Sequence, residues 1–93
     1  MFRNNGDQAR LLAFLAEWRT KAEMVAEVRS WKPPEYFLRQ AQRRAATRRQ
    51  QSMDVNAGAI YHVNMLLCNI RRRVRGGVLR VDGDRYRWEA IPD

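Results

Sequence analysis

Residues 55–90 read VNAGAIYHVNMLLCNIRRRVRGGVLRVDGDRYRWEA, and this stretch decides the fold. Ile60, Val63, Leu67, Ile70 and Val74 recur at spacings of three and four, the period of a helix with one buried seam. The pattern predicts a helix over 53–75 that ends at Gly76-Gly77, because glycine supplies the backbone freedom a helix stop needs. Beyond it, Leu79 and Val81 precede the turn residues Asp82-Gly83-Asp84, and Tyr86 and Trp88 follow them. Apolar residues at every second position on both sides of such a turn predict a β-hairpin over 78–89, with Arg80, Arg85 and Arg87 on the opposite face.

Upstream, Ser52 and Asp54 offer side-chain oxygens that can cap the start of this helix. The segment PEYFLRQAQRRAATRRQQ predicts another helix from 34 to about 51, with proline tolerated in its first turn. Its apolar stripe of Tyr36, Phe37, Leu38, Ala41 and Ala45 is thin, so it is expected to dock by its N-terminal turn and leave its C-terminal half in solvent. Lys32-Pro33-Pro34 breaks the chain before it, since each proline lacks an amide donor and restricts its predecessor. Thr20 and Glu23 have capping-box spacing and open a short helix carrying Met24, Val25 and Val28. DQARLLAFLAEW, residues 7–18, predicts a first helix with Asp7 as its cap and Leu11, Leu12, Leu15 and Trp18 on one face. Trp18, Trp31 and Trp88 are expected at the core or its edge.

A chain of 93 residues with 45% hydrophobic residues has material for one core, and a single domain over 1–93 is expected. Cys68 is the sole cysteine and His62 the sole histidine, which excludes an internal disulfide and offers no soft ligand set for a metal. No acid or nucleophile stands at matching spacing to His62, so no catalytic residues, enzymatic activity or cofactor are expected. The start MFRNNGDQAR lacks a signal-peptide pattern and no apolar run is long enough to span a bilayer; a cytoplasmic protein without membrane attachment is expected. The net charge of +8 is unevenly spread: residues 36–75 hold nine bases and one acid, whereas the flanking segments nearly balance. Such a concentration of arginine favours a nucleic-acid partner, with an acidic protein or membrane surface as the other readings.

The order helix, short helix, arginine-rich helix and hairpin is that of a winged helix-turn-helix. Within it VNMLLCNIRRRV, residues 63–74, resembles the recognition helix of OmpR/PhoB-type response-regulator effector domains, and VLRVDGDRYRWEA resembles their wing through Gly83, Tyr86 and Arg87. The fold expected is thus mainly α with a small C-terminal β-hairpin: a winged helix with a basic helical insert at 32–52, a recognition helix at 53–75 and a wing at 78–89. With no room for a receiver domain ahead of residue 7, the resemblance implies a bacterial or phage stand-alone regulator of transcription.

Periodicity alone turns His62, Met65, Asn69, Arg72 and Arg73 away from the seam and toward a major groove. The resemblance implies groove or phosphate positions at Met65, Asn69, Arg71 and Arg72, with Asn64 at the edge. Asn69 is suited to pair with adenine and Met65 to touch a thymine methyl. Arg71, Arg73 and Arg75 suit phosphates, although RRRVR also fits a solvated helix end, where positive charge favours the dipole. Arg80 and Arg85 either reach the DNA backbone from the wing or form an ordinary charged hairpin edge. Arg39, Arg43, Arg44, Arg48 and Arg49 form an accessory basic surface open to DNA phosphates, RNA, an acidic protein or solvent. Cys68 is expected on the helix flank near the DNA side. The partners expected are double-stranded DNA and a second copy of the chain, since one such module binds weakly alone. The other reading is a small adaptor, of phage origin among other sources, that binds RNA polymerase or another regulator.

Overall fold

The computed structural model of the chain describes residues 5–48 and 54–91. It is mainly helical with a small antiparallel sheet. The elements run α1 (Asn5–Phe14), β1 (Arg19–Thr20), α2 (Lys21–Arg29), α3 (Pro34–Arg48), α4 (Val55–Arg73), β2 (Gly77–Asp82) and β3 (Arg85–Ala90). The sheet order is β1-β3-β2, so the last strand lies between the hairpin partner and a strand from the first quarter of the chain.

The first helix stops at Phe14, one turn earlier than its apolar spacing predicts. The tightened bond from Ala16 N to Ala13 O closes its end, and the Leu15 carbonyl accepts Trp88 N at 2.8 Å. Arg19 Nε covers the Phe14 carbonyl at 3.1 Å, with the guanidinium 4.3 Å from the Phe14 ring. Backbone that a longer helix would use is therefore committed to the sheet, where Arg19 lies opposite Tyr86 and Thr20 opposite Arg85. Trp18 leaves the helical face and is 40% exposed, which corrects its expected place in the core; Trp31 and Trp88 do pack against it.

Thr20 then caps α2 as its spacing predicts. Its hydroxyl accepts Glu23 N at 3.1 Å, and Glu23 Oε1 accepts Thr20 N at 2.7 Å. Asp54 caps α4 by accepting Ala57 N at 2.7 Å. Ser52 and Gln51 lie outside the described residues, as do the side chains of Arg44, Ala45 and Arg48 and the whole of Arg49.

Helix α3 is fastened to α4 more extensively than to any other element. Phe37 is fully buried and Ala41 nearly so, which carries the docking beyond the first turn. Gly58 permits the close approach: a Cβ there would lie 1.8 Å from the Phe37 carbonyl oxygen. On the sheet side, Leu79 and Val81 lie opposite Trp88 and Tyr86, and Leu79, Tyr86 and Trp88 rest on the helical core. Gly83 closes the hairpin with φ of 62°, a conformation that costs a side-chain-bearing residue strain.

The seam of α4 differs from the one its periodicity suggests. Ala59, His62, Val63, Leu66, Leu67 and Ile70 are buried, while Ile60 is 39% exposed and Val74 half-buried. Four elements pack against this helix, α3 most extensively, then α2, α1 and β2, so its buried sector is wide. It reaches His62 rather than Ile60. The expected groove-side position of His62 is thereby corrected: its side chain has no exposure, its Nε2 lies 2.9 Å from Asp7 Oδ2, and the Tyr36 ring meets it edge-on at 5.4 Å. Asp7 is likewise a buried anchor in the first turn of α1 rather than its cap, and also lies 3.4 Å from Lys32 Nζ.

Candidate nucleic-acid interface

The uncovered side of α4 is a ridge of Asn64, Cys68, Arg71 and Arg72, all exposed. Asn64 lies four residues before Cys68, and Arg71 and Arg72 lie three and four after it, so they gather along one face. Arg73 closes the helix and Arg75 follows it, both exposed. Three cations in the last turn complement the partial negative charge of the helix end, which lets the chain concentrate charge there without unwinding it. Met65 and Asn69 are half-buried on neighbouring positions. Of the expected base-contacting residues, Asn64 and Arg72 therefore stand on the ridge, and Met65 and Asn69 stand at its shoulder.

Lys21, at the first position of α2, joins three elements. Its Nζ donates to Asn64 Oδ1 at 2.7 Å and lies 5.5 Å from the Tyr86 ring centre. Lysine has no acceptor, so the Asn64 carbonyl must face it, and the amide nitrogen points the other way. The oxygen keeps a second lone pair. Asn64 is thus held with one acceptor and two donors available, the combination needed to pair with an adenine edge. A hollow of about 320 Å³ sits beside this junction, lined by Lys21, Asn64, Cys68, Arg71 and Tyr86 among others. Lys21 carries no sequence signal beyond its place after the Thr20 cap, and its role appears only when β3 comes alongside α2.

The hairpin presents Val78, Arg80, Asp82, Arg85, Arg87 and Glu89 on the face away from the core. Arg80 and Arg87 are direct cross-strand neighbours, and two like charges in that position repel. Glu89 relieves this: its Oε1 accepts Arg80 Nε at 2.9 Å and Nη2 at 2.7 Å. The bond and the charge of Arg80, with a smaller contribution from Arg87, hold the Glu89 carboxyl below the usual glutamate range. Arg80 is accordingly occupied by a carboxylate, while Arg85 is exposed opposite Asp82. Arg87 is half-buried, and its Nε has no hydrogen-bond partner among the described residues.

On the other flank of α4, Tyr61 and Met65 form one wall of a groove of about 640 Å³, and Lys32, Tyr36, Arg39 and Arg43 line the side toward α3. Arg39 and Arg43 are exposed. No group of three or more His, Cys, Asp or Glu residues suited to hold a metal occurs among the described residues. Nor is any described helix long and apolar enough to cross a membrane.

Comparison with known proteins adds no assignment to this geometry: no family model matches the sequence, no curated protein matches it, and no solved structure matches the fold.

Proposed function

We propose that the chain is a winged helix that binds duplex DNA by laying the Asn64–Cys68–Arg72 ridge of α4 into the major groove, and that it regulates transcription from the sites it occupies. The observation that carries this reading is the connectivity: helix, short strand, helix, the basic helix α3, then α4 and a hairpin whose last strand lies between the other two. That arrangement supports α4 from behind and leaves its charged ridge uncovered beside the hairpin. The resemblance of residues 63–74 and of the hairpin to OmpR/PhoB-type effector domains points the same way.

In this reading Asn64 reads a base, most simply adenine, and Arg72 a guanine edge or a phosphate. A good bidentate contact contributes about 1–3 kcal/mol of discrimination, or roughly 5- to 150-fold between right and wrong bases. Arg71, Arg73, Arg75 and Arg85 contact phosphates and set affinity and register. Met65 and Asn69 act from the shoulder of the ridge. A module of this size makes a small interface, so specific occupancy requires a second copy on an adjacent half-site.

The test is a titration of the protein on a random-sequence duplex pool and on the duplexes it enriches, at several salt concentrations. Asn64→Ala is expected to flatten sequence preference, and Arg72→Ala to weaken binding. Absence of duplex binding at low salt, or binding indifferent to both substitutions, would refute the proposal. Retention of a protein partner from nuclease-treated extract, without any duplex binding, would favour the adaptor reading instead.

A further inference from the structure

We infer that the groove between α3 and α4 is a second DNA contact, which receives the sugar-phosphate strand bordering the major groove on the side away from the hairpin. This rests on the proposed duplex binding and adds a site to it.

The ridge of α4 has two flanks, and both carry cations. Lys21 and Arg71 line the flank beside the hairpin, and Lys32, Arg39 and Arg43 line the flank beside α3. Tyr61 and Met65, the α4 wall of the groove, alternate along the helix with Asn64 and Cys68, which line the hollow on the other flank. The two depressions therefore open on either side of a single ridge. A major groove has the same profile: a trough that admits one helix, bounded by two phosphate strands.

The chemistry of the groove fits a polyanion. Three of its lining residues are cationic and none is a carboxylate; Lys32 also lies 3.4 Å from Asp7 Oδ2, so the contact rests on the two arginines. Arg39 and Arg43 stand about 6 Å apart along α3, one helical turn, a spacing on the scale of neighbouring phosphates on one DNA strand, which rise about 3.4 Å each along the duplex axis. Tyr36 adds a hydroxyl that can donate to phosphate. Preorganisation is also built in. Phe37 and Ala41 bury α3 against α4, and the close approach at Gly58 fixes the spacing of the two walls, so the arginines start from a rigid helix. An ordinary solvated basic helix would not need its charges registered against a second wall. A single major-groove helix and hairpin would not occupy this flank, so the contact lengthens the protected DNA on one side.

The experiment measures affinity for an enriched duplex against salt concentration for the wild type and for the double variant Arg39→Gln/Arg43→Gln. Both positions are exposed, and an unchanged melting temperature confirms that the variant folds. Each lost phosphate contact removes about 0.9 from the slope of log K against log salt, so the expected change is about 1.8, with binding on the order of 50-fold weaker at 0.1 M salt. Sequence preference is expected to stay as in the wild type. A wild-type slope in the double variant, while Asn64→Ala still flattens sequence preference, overturns the inference and leaves the proposed function intact. No duplex binding by the wild type overturns both. If the double variant keeps its DNA slope but no longer binds polyglutamate that the wild type retains, the groove serves an acidic polypeptide and the inference fails.

Discussion

Replacing Gly58 with alanine separates two opposed effects on stability whose signs the structure decides. In an exposed helix, alanine in place of glycine stabilises by about 1 kcal/mol, because glycine loses more backbone freedom on folding. At Gly58 the added methyl would meet the Phe37 carbonyl oxygen at 1.8 Å and its carbon at 2.5 Å, where real Cβ contacts almost never fall below 3.0 Å. The obstacle is backbone, so no side-chain rotation relieves it. Either α3 withdraws by more than an ångström at that point or α4 bends, and both loosen Phe37, which has no exposed surface. Overpacking of this kind costs about 1–3 kcal/mol and more when backbone must move. The expected net loss, after the propensity gain, is about 2 kcal/mol, or roughly 8–16 °C in Tm for a chain of this length. Thermal and urea unfolding monitored by circular dichroism measure it, and Gly6→Ala, at an open position in α1, is the control, with an expected change from zero to about 1 kcal/mol of stabilisation. A Gly58→Ala protein as stable as the wild type, or more so, would refute the close α3–α4 contact and with it the two-walled groove.

Further outcomes follow from the buried pair and the hairpin. Asp7→Ala leaves the His62 ring with neither nitrogen satisfied among the described residues, since Nδ1 already lacks a partner. The expected loss is about 1–3 kcal/mol, the cost of a buried polar group left unsatisfied, read as a lower urea midpoint at constant m value; Asp7→Asn, which keeps an acceptor, is expected to recover part of it, and an unchanged midpoint in Asp7→Ala would refute this role. Glu89 titrates below the ordinary glutamate range because Arg80 bonds its ionised form. A carboxyl with a depressed folded value contributes its pairing above the ordinary range and loses it as pH falls through the lower value. NMR titration of the Glu89 carboxyl is expected to show this midpoint, with Arg80→Ala moving it up; Arg80 and Glu89 are both well exposed, so overall stability changes little. Glu89→Gln loosens Arg80 from its carboxylate and is expected to strengthen duplex binding several-fold if the wing approaches the backbone, whereas unchanged or weaker binding argues against Arg80 as a phosphate contact.

Features that depend on neighbouring residues were legible in the sequence, and features that depend on tertiary partners were not. The Thr20–Glu23 capping box, the Asp54 cap, the break at Pro33-Pro34 and the Asp82-Gly83-Asp84 hairpin all rest on local backbone chemistry, and each is present in the structure. The early end of α1 is not local: Leu15 gives its carbonyl to Trp88, a residue at the far end of the chain. The rotation of α4 escaped its periodicity for a related reason. A run containing Ile60, Val63, Leu66, Leu67 and Ile70 supports more than one buried sector, and a histidine weighs against burial until its partner Asp7 is known. That rotation matters for the candidate site, because it moves Asn64 onto the ridge and Met65 and Asn69 to its shoulder. The basic character of the α3 helix was plain in its composition, but the placing of Arg39 and Arg43 in one groove with Tyr61 needed the α3–α4 contact.

Cys68 provides the most direct test of duplex binding through α4, because it is the sole cysteine and lies exposed in the middle of the ridge. Its rate of modification by a small maleimide, followed by mass spectrometry, reports access to that surface in the unmodified native protein. Saturating duplex DNA at low salt is expected to slow the reaction at least tenfold and high salt to restore it, as phosphate contacts are released. If DNA binds and Cys68 reacts at the same rate as in the free protein, the ridge of α4 is not in the groove.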